Sequence, residues 1–151
     1  LFFAVSGGAM DSMVNHYTAN KRLRSNDAYT AGGKAGFRPD RAVKTYTQIL
    51  KRLYPHVPVV VGGIEASLRR LTHYDYWDER LMPSLLVDSG ADLLVYGMGE
   101  KVIQEVAAAM RNGFNAKLLR RLRQVAFVAD RSYVDRLDAE QTIRLHSFEE
   151  C

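Results

Sequence analysis

Short apolar runs rich in β-branched and aromatic residues recur along the chain, with stripes at helical spacing between them. This alternation restricts the fold more than any other feature. The runs are Leu1–Val5, Val57–Val61, Asp92–Tyr96 and Val125–Val128. Their near-continuous apolar character predicts strands covered on both faces, which is the habit of a parallel sheet rather than of a half-exposed antiparallel one. The expected order β-α-β-α-β-α-β predicts an α/β fold, a mostly parallel sheet with helices on both faces. All four strands are expected to be mutually parallel.

Between the strands, Ala42, Val43, Tyr46, Ile49, Leu50 and Leu53 form one stripe, with Pro39 suited to the first helical turn and Pro55 just past the end. Ile103, Val106, Ala107 and Met110 form a second stripe, beginning after Gly99 and stopping at Asn112–Gly113. Leu81, Leu85 and Leu86 predict a further helix before Gly90, with Pro83 in its first turn. Met10, Met13, Val14 and Tyr17 share a helical face, while Asn20 to Arg38 shows no periodicity. Thr142–His146 alternates polar and apolar side chains, as a half-buried fifth strand does. Ser147-Phe148-Glu149-Glu150 then fits the capping box that opens a helix. A helix that begins as the chain stops, and a chain that starts on an apolar run without Met, are expected of a piece cut from a longer polypeptide.

The chain has 151 residues, 47% of them hydrophobic and 25% charged, the balance of a folded globular domain. No apolar run approaches the ~20 residues of a membrane helix, and Leu1–Val5 has no basic flank of a signal peptide. The single Cys151 excludes an internal disulfide framework and suits a reducing cytoplasm. The net charge is +4, with cations grouped at Lys21, Arg22, Arg24, Lys34, Arg38, Arg41 and Lys44 and again at Arg111, Lys117, Arg120, Arg121 and Arg123. Such groups attract phosphate backbones, but no nucleic-acid module accompanies them, and a solvated surface is the simpler account.

Two segments read as strand, glycine turn, helix: Val59–Val61 leading into Gly62, Gly63 and Glu65, and Asp92–Tyr96 leading into Gly97, Gly99 and Glu100. Glycines there let backbone approach a ligand and helix-start amides hold an anion; they serve a bare tight turn equally well. Thr72–Glu79 sets three aromatics among His73, Asp75, Asp78 and Glu79, suited either to stacking on a ring or to packing beneath a loop. His73 and Asp75 alone are too few for a metal site. His16, His56 and His146 stand isolated, as ordinary surface or core residues do. There is no nucleophile elbow and no C-x-x-C. The long connection after the first strand leaves the sheet where open α/β folds bind ligands. Asp11, Asn15, Arg38, Glu65, Arg69, His73 and Glu100 are therefore expected on one rim, with Arg38 and Arg69 supplying charge for an anion. The competing account makes Glu65 and Arg69 a helix-surface ion pair.

Read together, Ala9–Ala19, Tyr29-Thr30 with Gly32-Gly33, Arg38–Ala42, Gly62–Arg70, His73–Trp77 and Tyr96–Glu100 resemble the N-terminal region of the YgiQ-like radical SAM proteins. The blocks run in family order over about residues 1 to 100. The likeness is looser after Gly113, and Ala31 stands where the family usually shows proline. The resemblance implies a Rossmann-like domain similar to cobalamin-binding-type domains, with residues 1–151 as a single portion of it cut at both ends. It implies a cytoplasmic parent whose radical SAM barrel carries a C-x-x-x-C-x-x-C motif, a [4Fe-4S] cluster and S-adenosylmethionine. That motif is absent here, and the counterpart of a cobalamin loop would lie upstream of Leu1. The chain is then an accessory substrate- or cofactor-facing domain, inactive alone, its partner the barrel of the same polypeptide. The alternatives are a binding module for a phosphorylated ligand or RNA, and a docking scaffold.

Overall fold

The computed structural model describes residues 1–111, 113 and 116–151, with 116 and 117 as backbone only. Strands β1 (Phe3–Ser6), β2 (Val59–Gly62), β5 (Leu93–Val95) and β6 (Val125–Ala126) form one sheet in the order β1-β2-β5-β6. β1, β2 and β5 are parallel, with Val5 opposite Val61 and Val61 opposite Leu94. The protein is α/β and Rossmann-like, its sheet mostly parallel.

β2 and β5 bury both faces because each face carries a helix, whereas β1 buries Val5 but leaves Ala4 and Ser6 exposed, so it is not covered on both faces as expected. Val5, Val59, Val61 and Leu94 face α2 (Ala42–Leu53) and α4 (Leu85–Ser89). Val60, Leu93 and Val95 face α5 (Glu100–Met110) and α6 (Ala116–Leu119). Each fully buried valine contributes on the order of 1.5–3 kcal/mol, so β2, with Val59, Val60 and Val61 all buried, anchors the sheet.

Several expectations are corrected. β6 runs antiparallel to β5, because the turn through Gln124 (φ 57°) delivers the chain beside the C-terminal end of β5, where the Tyr96 amide donates to Gln124 O at 3.0 Å. Thr142–His146 is not a strand: Ile143 and Leu145 are exposed, so the alternation buries no face. Pro39 does not open α2. The backbone reaches the helix through Arg41 in the left-handed region (φ 49°), and α2 starts at Ala42. Leu81 is in a strand, since Glu79 (φ 54°) turns β3 (His73–Asp75) back onto β4 (Arg80–Met82) as a hairpin; Pro83 precedes α4, which Ser84 caps. In α1 (Ser12–His16), Met13 is buried while Met10 and Val14 are exposed, so those residues share no buried face. α5 ends at Met110; Asn112 of its expected stop lies outside the described residues. α3 (Gly63–Leu68) follows β2 directly. α7 spans Arg131–Val134, and Phe148–Glu150 is a 3-10 turn in which Ser147 and Glu150 form the expected capping box.

Candidate functional site

The loop leaving β1 is held by acids rather than by apolar packing. Asp11 Oδ1 accepts from the Met13 and Val14 amides, capping α1, and both its oxygens take the Arg69 guanidinium. The pair is buried, so Arg69 is committed to Asp11 and not to Glu65. Glu65 is 1% exposed and accepts from the Ser12 amide at 3.1 Å and the Val43 amide at 2.9 Å, while Ser12 Oγ accepts from the Ala42 amide at 3.2 Å. Those last two amides open α2, which has no capping side chain of its own. A carboxylate from α3 and a hydroxyl from α1 do that work.

Asp27 is the second node. Asn15 Nδ2 donates to it at 2.7 Å, Arg38 Nε at 3.2 Å and the Tyr29 amide at 2.9 Å. Burial works to raise the Asp27 carboxyl, and the Tyr29 amide, Asn15 and Arg38 outweigh it and hold the group below the usual range. Arg38 also donates to Gly7 O at 2.8 Å and lies over the Tyr29 ring. His16, expected to stand isolated, sits between acids. Its Nδ1 is 2.8 Å from Asp40 Oδ1, and its Nε2 is 3.3 Å from Asp27 Oδ2 but outside hydrogen-bonding geometry.

The hairpin is tied to the same loop. Asp75 accepts from Arg41 and from the Trp77 and Asp78 amides, Tyr76 donates to Ala19 O, and Lys21 pairs with Glu79. Lys21, Arg38, Arg41 and Lys44 of the first basic group are thus all bound to carboxylates, which leaves much less of it for phosphates. Lys117 of the second group has no described side chain.

One concavity of about 250 Å³, lined by Leu1, Phe2, Ala107, Met110 and Arg111, holds none of the expected site residues, and two others do. The larger, about 420 Å³, opens at the carboxyl ends of β1, β2 and β5. Its floor is Ala4, Val60, Val61 and Val95, and its walls are Ser6, Gly62, Gly63, Gly97, Gly99, Glu100 and Ile103. Gly63 has φ +82° and a side chain there would come within 2.5 Å of Ser6 Oγ; a Cβ on Gly99 would come within 3.1 Å of Val95 Cγ1. The glycines therefore serve the turns and leave the walls thin. The smaller concavity, about 190 Å³, is lined by Asp11, Arg69, His73, Asp75, Tyr74 and Trp77 among others.

The expected site residues thus divide. Gly62, Gly63, Gly97, Gly99 and Glu100 share the larger crevice. Asp11, Arg69 and His73 share the smaller. Asn15 and Arg38 meet on Asp27, and Glu65 is sealed between segments. Asp27, Asp40, Asp75 and Ser12 organise these groups; Ser12, Asp40 and Asp75 lie inside the blocks that carry the family resemblance, but no periodicity or spacing marks their roles, and Asp27 lies outside every block. Ser6 was hidden because its strand runs one residue past the apolar run. His73 Nδ1 lies 3.1 Å from Leu71 O and Asp75 is held by Arg41, so the two form no ligand pair. Among the described residues no group of three His, Cys, Asp or Glu is placed to hold a metal. No helix among them is long and apolar enough to cross a membrane.

A parallel α/β sheet with a crevice at its carboxyl edge is a ligand-binding architecture. A family model described as Radical SAM N-terminal matches residues 1–151, and the chain belongs to that family. It is 54% identical over 151 residues to a UPF0313 protein of Porphyromonas gingivalis, covering 100% of this chain and 24% of that protein. It is 52% identical over 160 residues to a UPF0313 protein of Bacteroides thetaiotaomicron, covering 100% and 26%. A UPF0313 protein of Pseudomonas putida is 53% identical over 128 residues, covering 85% and 17%. The chain spans about a quarter or less of these curated relatives, as one part of longer proteins. No solved structure matches it. The family implies a [4Fe-4S] cluster and S-adenosylmethionine for the whole protein. The lone, exposed Cys151 does not fit a cluster, which needs several thiolates.

Proposed function

We propose that this domain is the accessory, substrate- or cofactor-facing part of a cytoplasmic radical SAM iron-sulfur enzyme, and that it acts through the crevice at the ends of β1, β2 and β5. The single observation that carries this is the crevice itself: about 420 Å³, walled by glycine backbone at the sheet edge where α/β folds take ligands. The cluster, S-adenosylmethionine and the radical SAM barrel belong to the remainder of the polypeptide on this reading. Occupied cations and the lack of a nucleic-acid module count against RNA as the ligand.

The test uses the full-length protein. Ile103 lines the crevice, and Ile103→Trp fills it. Wild-type protein equilibrated with a small-molecule extract is expected to retain ligands, seen by native mass spectrometry, that the variant loses at unchanged iron content. Equal retention by both proteins would overturn the reading.

A further inference from the structure

Resting on the crevice as the binding site, we infer that its ligand is a flat, phosphate-free molecule offering hydrogen-bond donors, of the nucleoside class, and that phosphorylated molecules are turned away. The charge inventory decides this. Among the described residues no Lys, Arg or His lines the crevice, and the one ionisable group in its lining is Glu100. Glu100 is the first residue of α5, whose N-cap, Gly99, brings no side chain. The amides at that end would otherwise favour an anion by the helix dipole; a carboxylate placed on them cancels that field. Lys101, next in sequence to Glu100, is exposed and does not line the crevice, and the other nearby cations are spent elsewhere. Arg69 is locked on Asp11, Arg38 on Asp27 and Gly7 O, and Arg70 lies over the Tyr96 ring and donates to Ser67 O.

Shape and polarity fill in the class. The exposed Ala4 and the half-buried Ile103, beside glycine backbone, suit an apolar ring face, while the valines of the lining are buried behind them. Glu100 is exposed and its carboxylate has no hydrogen-bond or ion-pair partner among the described residues, so its oxygens can accept from hydroxyl or amino groups, as an acidic residue does from a ribose diol. Ser6 Oγ accepts from the Gly8 amide at 3.3 Å, which leaves its own proton to donate.

The experiment compares adenosine with AMP on the full-length protein by calorimetry. Adenosine is expected to bind saturably and AMP at least tenfold more weakly. Glu100→Gln is expected to narrow that gap to under threefold by strengthening AMP. Ile103→Trp, or Ala4→Leu at an exposed floor position should the first misfold, is expected to abolish both. AMP binding as well as adenosine, or a gap unmoved by Glu100→Gln, overturns the ligand class. If neither probe binds while extract ligands remain sensitive to Ile103→Trp, the class falls and the crevice reading stands. If both probes bind the two filled variants as they bind wild type, the crevice reading falls with it.

Discussion

The Val43 amide donates to Glu65 Oε1 at 2.9 Å across 22 residues of sequence, so the helix that packs on β1 and β2 is started by a side chain from the segment that follows β2. A second oxygen of the same carboxylate receives the Ser12 amide. Glu65 is therefore a joint between three segments rather than a group that faces a ligand.

Removing that joint strands two buried amides. Glu65→Ala is expected to destabilise the domain by about 3 kcal/mol, and Glu65→Gln, which keeps one acceptor, by about half as much. Hydrogen exchange read at the amides of Ser12 and Val43 gives the check; protection that survives Glu65→Ala would contradict the assignment.

The buried Asp11–Arg69 pair makes a prediction about coupling. Arg69→Met alone is expected to cost about 3 kcal/mol, because it leaves a carboxylate buried and unpaired, and Asp11→Asn a similar amount. The double variant is expected to lose clearly less than the sum, measured by denaturant unfolding. Simple additivity would show that the pair is not energetically linked.

Asp75 sets an acid limit. Burial works to raise its carboxyl, and the Asp78 amide, Arg41 and the Trp77 amide outweigh it and hold it below its ordinary 3.8. A depressed carboxyl stabilises fully above the unfolded value and loses that contribution as pH falls through the folded one. Asp75→Asn is thus expected to be less stable at neutral pH and to lose less between about pH 5 and pH 2 than wild type. Parallel acid limbs in the two melting profiles would argue against it.

Two glycines separate backbone strain from crowding. Gly63 and Gly90 both have positive φ, but a Cβ on Gly63 meets Ser6 Oγ at 2.5 Å whereas Gly90 has nothing within 4 Å. Gly90→Ala is expected to cost about 1 kcal/mol for the left-handed backbone alone, and Gly63→Ala visibly more. Equal losses in thermal unfolding would mean that Ser6 simply gives way.

What was legible in the sequence was what burial writes into it. Val59–Val61 and the α5 stripe announce themselves because apolar periodicity reports packing on both faces of a sheet. The direction of β6 was not, since a two-residue strand reads alike in either sense and the reversal sits in Gln124. The hairpin was missed because Leu81 fits a helical stripe as well as a strand, and only the turn at Glu79 decides. The crevice glycines were visible from their spacing after apolar runs. The destinations of Arg38, Glu65 and Arg69 were not, because pairing between distant charges leaves no local pattern.

The order β1-β2-β5-β6 gives the sheet two unlike margins. At one, β6 pairs over only two residues, too short a rail for another strand to grip. At the other, β1 offers four residues whose outward amides and carbonyls have no sheet partner among the described residues, beside the exposed Ala4 and Ser6. Such a margin recruits strands. Expressed by itself at high concentration, the domain is expected to pair with a neighbouring copy through β1 and to stop at that pair, since the β6 margin offers no second rail, and Ala4→Lys is expected to weaken the pairing.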